Sequence, residues 1–232
     1  MENAVLLASG MGTRMRPIKE TTPKPLVRVG NIPMIETVIN GLQARGVKNI
    51  YVVVGYLGEQ FEYLKEKYTN LHIVKNDVYE TVNNISSLFA AREILLQGDC
   101  FICEADLYVS DENVFFKKFS KSCYYGKMVQ GYSDDWVFEQ NEYGIIVRVG
   151  KCGTDCYNMA GIAYFKEADA LKLYEALLKE YGQNGYEELF WDDVVNKHIR
   201  DFELIVEPIS EEQIVEIDTV EELIKVNLRL KD

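Results

Sequence analysis

The sequence predicts an α/β fold, a doubly wound and mostly parallel central sheet with a small β-rich insertion. Three observations carry this. Short apolar runs alternate with amphipathic stretches through the first half of the chain. The run from Asn49 to Val54 is almost continuously apolar, as in a parallel strand covered on both faces. After residue 120 the alternation gives way to strands joined by turns.

Taken in order, Ala4 to Ala8 is a buried strand that runs into a glycine-rich turn. Met34, Ile35, Val38, Ile39 and Leu42 recur at helical spacing, and Gly46 suits the stop. The strand at 49–54 is followed by a charged helix at about 58–68 and a strand from Leu71 to Lys75. A helix at about 85–96 precedes the strand Phe101 to Ala105. Three further strands, Lys127 to Tyr132, Gly144 to Val149 and Met159 to Phe165, form the insertion. Helices return at about 167–181 and 187–199. Strands Glu203 to Ile209 and Ile214 to Ile217 and a helix at about 219–230 close the chain. No repeat or Pro/Gly/Ser linker interrupts it, so one domain spans 1–232, with halves at 1–120 and 121–232.

Composition narrows the function classes. The 232 residues are 47% hydrophobic and 27% charged, enough to bury one sizeable core. Thirty-seven acids against 25 bases give a net charge of −12, with no basic cluster, which argues against a nucleic-acid partner. No 18-residue apolar run exists for membrane insertion. Glu2 stands where a secretion signal would be basic, and the apolar run after it is too short, so a cytoplasmic location is expected. The five cysteines read as reduced thiols. Cys100 and Cys103 fall at strand positions that point to opposite faces, and no zinc spacing accompanies them.

In open α/β sheets ligands bind at the carboxyl ends of the strands. The loop after the first strand is Ser9-Gly-Met-Gly-Thr-Arg-Met-Arg-Pro17. Gly10 and Gly12 allow close approach of backbone N–H groups to a phosphate, and Arg14, Arg16 and Lys24 bring cations to the same mouth. The loop is neither the dinucleotide fingerprint nor a P-loop, and by itself it also reads as a tight strand-to-helix turn. Asp106 ends an apolar strand, where a turn residue would serve equally. Asp218 precedes Thr219-Val-Glu221, a pattern that also begins a helix.

Together, Leu7-Ala-Ser-Gly10, Thr13-Arg14-x-Arg16-Pro17 and Thr22-Pro-Lys-Pro-Leu26 resemble the signature of the sugar-nucleotidyltransferase superfamily, whose sheet is Rossmann-like. Within it the chain is most similar to the bacterial CTP:phosphocholine cytidylyltransferases over nearly its whole length. The supporting segments are Val54 to Tyr68, Asn83-Asn84, Ser86-Ser-Leu88, Glu104-Ala-Asp106, Leu189-Phe-Trp-Asp192 and Glu216-Ile-Asp218. Ser9 stands where that family most often has alanine.

The resemblance implies a Mg²⁺-dependent reaction of CTP with phosphocholine, giving CDP-choline and pyrophosphate. The first half would hold the nucleotide and the second the acceptor. It assigns Arg14 and Lys24 to the triphosphate, and Asp106 and Asp218 to the metal, whose hard charge suits carboxylate oxygens. Leu7, Ala8, Ser9, Gly10, Met11, Gly12 and Thr13 would line the nucleotide, with Asn84 and Ser86 toward the base. Lys151 is the candidate for the acceptor phosphate. A trimethylammonium group calls for aromatic faces and carboxylates. Trp136, Phe190, Trp191, Asp192 and Glu216 are the acid–aromatic clusters that would supply them. The alternatives are a sugar-1-phosphate or another small phosphate ester as acceptor, or a nucleotide-binding regulatory domain without turnover. The protein is expected to be a monomer or homodimer.

Overall fold

The computed structural model describes residues 1–230; the last two positions of the 121–232 half lie outside them. The first half runs β1 (Glu2–Ala8), the short pair β2 (Arg28–Val29) and β3 (Ile32–Pro33), α1 (Met34–Arg45), β4 (Asn49–Val54), α2 (Tyr63–Lys67), β5 (Leu71–Lys75), α3 (Ile85–Ala90), β6 (Asp99–Glu104) and β7 (Leu107–Val109). The second half runs β8 (Cys123–Gln140), β9 (Ile146–Phe165), α4 (Glu167–Glu180), α5 (Trp191–Lys197), β10 (Ile205–Pro208), β11 (Ile214–Glu216) and α6 (Val220–Arg229).

Seven strands form one sheet in the order β10-β8-β9-β6-β1-β4-β5. The pairs β1–β4, β1–β6, β4–β5 and β8–β10 are parallel, whereas β9 runs antiparallel to both β6 and β8. Six of the seven strands therefore run the same way, and β9 is reversed between β6 and β8. The apolar run of β1 is buried because core clusters cover both faces: Leu6 packs with α1 residues Ile35, Val38, Ile39 and Leu42 on one, Val5 with Leu88 and Leu173 on the other. α1 stops at Gly46, whose φ of +86° and N–H bonds to the Gln43 and Leu42 carbonyls form the left-handed cap expected from sequence.

The insertion departs from expectation. Three short strands were anticipated, and two long ones exist, β8 and β9, pairing almost end to end through repeated bulges. Gly131, Cys152 and Asp155 take positive φ at +83°, +64° and +50°, so the ribbon kinks at turn-like residues without leaving the sheet. The helix expected at 85–96 breaks after Ala90 into a 3₁₀ stretch, Arg92–Leu96. Likewise, α5 is shorter than the 187–199 expected.

Candidate active site

A cavity of about 390 Å³ opens at the carboxyl ends of β1 and β6. Its floor is the turn after β1, shaped by Gly12. That residue has φ +56°, and a Cβ there would stand 2.9 Å from Lys24 Cβ. The turn is anchored by Met15, which is fully buried against Val27, Val29, Met34 and Ile217. With Met15 pinned inward, the neighbouring Arg14 projects toward the cleft and lies 2.6 Å from Asp218.

Lys24 sits between Pro23 and Pro25, whose fixed φ values preset a 3₁₀ turn. Its ammonium meets Asp106 Oδ2 at 2.5 Å and Asp218 Oδ1 at 2.5 Å, with the side chain only 8% exposed. Burial works against the lysine charge, but the two carboxylates outweigh it, so the pKa lies above the ordinary value.

The carboxylates are brought together by a strand pairing that sequence did not anticipate. β7, directly after Asp106, pairs antiparallel with β11 so that Leu107 faces Glu216. Oxygens of Asp106, Glu216 and Asp218 lie within 4.8 Å of one another. Glu216, assigned from sequence to the acceptor, thus stands with the two aspartates. Enclosure, then the charges of Asp106 and Asp218, raise its pKa to about 7. Asp218 was also a candidate helix cap, but that work falls to Thr219, whose Oγ1 accepts the Glu222 N–H at 3.2 Å. Glu222 in turn accepts from the Asp218 and Thr219 N–H groups, leaving the Asp218 carboxylate free for Lys24 and Arg14.

Leu7, Ala8, Ser9, Gly10, Met11, Gly12, Thr13, Arg14, Lys24, Asn84, Asp106, Phe190 and Asp218 all line the cavity. Ser86 does not. One residue along the helix, Ser87 takes the lining position. Ser86 Oγ turns inward, donating to the Asn83 carbonyl at 2.8 Å. Asn84 uses Oδ1 to accept the Trp191 N–H at 2.9 Å, so it also begins α5. Glu104, Tyr79, Val82 and Asn83 were missed and belong to the wall. Glu104 was readable, since it lies two residues before Asp106 and so on the same side of the chain. Burial, then the charges of Asp106, Asp192 and Glu216, push its carboxyl well above the carboxylate range.

The acid–aromatic clusters divide. Trp136 and Phe190 meet edge-to-face at 5.4 Å, and Lys151, the cross-strand partner of Trp136, holds its ammonium 6.0 Å from each ring. Trp191 and Asp192 do not line the cavity. Trp191 is 4% exposed and stacks on Tyr124 at 5.6 Å. Asp192, also buried, accepts the Tyr124 hydroxyl at 3.1 Å, and burial raises its pKa to about 8. Both face the core because the first turn of α5 packs on β8 and β9.

Residues 4–117 match the MobA-like NTP transferase domain family. The chain is 51% identical over 221 residues, 95% of its length and 90% of the relative's, to a 2-aminoethylphosphonate cytidylyltransferase of Lancefieldella rimae. It is 34% identical over 232 residues, 99% of this chain and 98% of the other, to a choline-phosphate cytidylyltransferase of Streptococcus pneumoniae. A solved structure of the CTP:phosphocholine cytidylyltransferase of Streptococcus pneumoniae superposes with a TM-score of 0.90 at 31% identity, covering 99% of each chain.

Proposed function

The chain belongs to the nucleotidyltransferase superfamily and is a cytidylyltransferase within it, and from that premise we propose that its acceptor is a small phosphonate bearing a primary ammonium, 2-aminoethylphosphonate first among them. The observation that carries the reading is the charge arrangement of the cleft. Lys24 and Arg14 offer cations to a triphosphate, while carboxyl oxygens of Glu104 and Asp106 line the same cavity and Glu216 stands within 4.8 Å of Asp106. A primary ammonium has three N–H donors to give to such oxygens, whereas a trimethylammonium has none. The 51% identity to a cytidylyltransferase named for that acceptor supports the same choice.

In the proposed reaction an acceptor oxygen attacks the α-phosphorus of CTP in line. The new P–O bond forms as the bond to the β-phosphate oxygen breaks, and pyrophosphate departs. An ionised phosphonate or phosphate oxygen is nucleophilic as it stands, so no general base is required. What the chain supplies is position and charge. Lys24 and Arg14 hold the triphosphate, and the Ala8–Gly12 backbone fits closely around the nucleotide. Asp106 and Asp218, with Glu216 in reach, are a hard oxygen set of the kind Mg²⁺ takes. Mg²⁺ held there would neutralise charge on the phosphate oxygens.

The edge-to-face pair Trp136–Phe190 favours phosphocholine as the second reading, since a cation over two rings gains about 0.5–2 kcal/mol per contact. Pyrophosphate release decides between them, measured with Mg²⁺ for CTP, UTP, dTTP, GTP and ATP against 2-aminoethylphosphonate, phosphocholine, phosphoethanolamine and glucose-1-phosphate. The highest kcat/KM is expected for CTP with 2-aminoethylphosphonate. A preference for phosphocholine moves the assignment to the second reading, and turnover with glucose-1-phosphate alone overturns both.

A further inference from the structure

Ion pairs join Arg14, Lys24, Asp106 and Asp218 into one group of the cavity lining, and Ser9, Tyr79, Val82, Asn83 and Ser87 line it without charge. A triphosphate belongs with the first group, so the base belongs with the second. Ser9 and Ser87 are also part of a buried polar network with Asn76 and Ser86, each no more than 4% exposed.

Its protons can be followed one at a time. Asn76 Oδ1 accepts the Val78 N–H at 3.1 Å, which turns the amide nitrogen toward the serines. That nitrogen donates to Ser86 Oγ at 2.9 Å and faces Ser87 Oγ at 3.3 Å and Ser9 Oγ at 3.4 Å. The Ser86 proton goes to the Asn83 and Val82 carbonyls at 2.8 and 3.2 Å. Ser9 and Ser87 stand 2.5 Å apart, and one of their two hydroxyl protons fills that contact. The other has no acceptor among the described residues, and both residues line the cavity.

We infer that the Ser9–Ser87 pair, oriented by Asn76, gives this remaining proton to ring N3 of cytosine, and that the contact is how the chain discriminates cytosine from uracil. The chemistry of the two bases selects the atom. O2 accepts in both, so a donor there distinguishes nothing. A donor at position 4 would favour the uracil carbonyl over the cytosine amine. Only N3, a bare acceptor in cytosine and an N–H in uracil, lets a protein donor choose cytosine. Uracil can give its N3–H to a hydroxyl oxygen of the pair, but the remaining hydroxyl proton is then left in a buried site without an acceptor. Asn76 is then a positioning residue, acting through the hydroxyls rather than on the base.

The inference rests on the cytidine assignment and not on the acceptor, so its test omits the acceptor. Calorimetric binding of CTP, UTP and 3-deaza-CTP, in which N3 is a C–H, is measured with Mg²⁺ on the wild type and on Ser87→Ala, Ser87→Thr and Asn76→Asp. The wild type should bind CTP at least about 10-fold more tightly than either analogue, the factor that corresponds to one hydrogen bond of about 1.4 kcal/mol. Ser87→Ala should weaken CTP by about that factor and leave the two analogues nearly unchanged. Ser87→Thr, which keeps the hydroxyl, should restore the preference. Asn76→Asp, whose carboxylate draws the hydroxyl protons away from the cavity, should narrow it. Should Asn76→Asp fail to fold, the two Ser87 variants carry the test alone. A CTP preference that survives in Ser87→Ala, or an equal loss for all three nucleotides, overturns the inference.

Discussion

Lys24 concentrates the chemistry of the cleft in one buried charge. It stays protonated because Asp106 and Asp218 offset the cost of its burial, and the same carboxylates are the proposed metal ligands. Asp106→Ala removes a ligand and half of the compensation for Lys24. Turnover should fall by about 10²–10³ or more, the scale of losing one electrostatic contact in an active site, with the far-ultraviolet dichroism unchanged. Rates close to wild type with Mg²⁺ present would remove Asp106 from the site. Asp192 makes a different prediction. Its folded pKa of about 8 lies above the unfolded value, so the native state holds a proton that the unfolded chain gives up near pH 4. Its contribution to stability is therefore present at low pH and is lost as pH rises toward 8. Melting temperatures between pH 5.5 and 8.5 should fall more steeply for the wild type than for Asp192→Asn, which can still accept the Tyr124 hydroxyl; equal slopes would exclude the effect. At this scale the meeting of Arg14, Lys24, Asp106 and Asp218 was legible only through the resemblance, since one motif holds Arg14 and Lys24 while Asp106 and Asp218 stand in separate, distant segments. Ser86 and Ser87 were not separable, since adjacent residues of a short helix point in different directions and nothing in the sequence states which one faces the cavity.

Elements carry these side chains to their places, and their junctions are where sequence reading weakens. α6 is the plainest case. Its cap is Thr219, one residue beyond the expected Asp218, and that single step releases a carboxylate for the cleft. Thr219→Ala should cost about 0.5–2 kcal/mol of stability, the usual loss at an N-cap. It should also lower kcat, because the cap holds the chain just after Asp218. Thermal melting and pyrophosphate release on one sample measure both, and a stability loss with unchanged kcat would separate the cap from the site. The β8–β9 ribbon was legible as β structure but not as two long strands. Its bulges replace the turns that glycines and polar residues had suggested. Trp136 sits in that ribbon across from Lys151. Trp136→Ala should raise the acceptor KM more than the CTP KM, and an equal change in both would make the tryptophan a packing residue. Trp191 was misplaced for a related reason: an aromatic beside two acids at a helix start reads the same whether its face is wet or buried.

At the scale of the whole molecule, the fold class was legible because β1, β4 and β6 are nearly uniform apolar runs. Strand order and the antiparallel seam at β6–β9 were not, since they depend on contacts distant in sequence. The sheet also distributes stability. β1 lies between β4 and β6 with both faces covered, so its amides can exchange only when the sheet comes apart. The outer part of the β8–β9 ribbon is largely exposed, and its pairing is interrupted by bulges around Gly131, Cys152 and Asp155. Native-state hydrogen exchange should therefore show two classes. β1, β4 and the core of β6 should exchange at the global unfolding free energy. Residues 129–136 and 150–156 should exchange through local opening that is insensitive to low denaturant. Trp136 and Lys151 belong to that second class, which would give the proposed acceptor side freedom to adjust while the proposed nucleotide side stays rigid. Adding CTP should slow exchange in the 9–14 and 83–88 segments more than in the ribbon. If the ribbon instead shares the protection of β1, the two halves unfold as one unit and acceptor entry has to use the cleft as it stands.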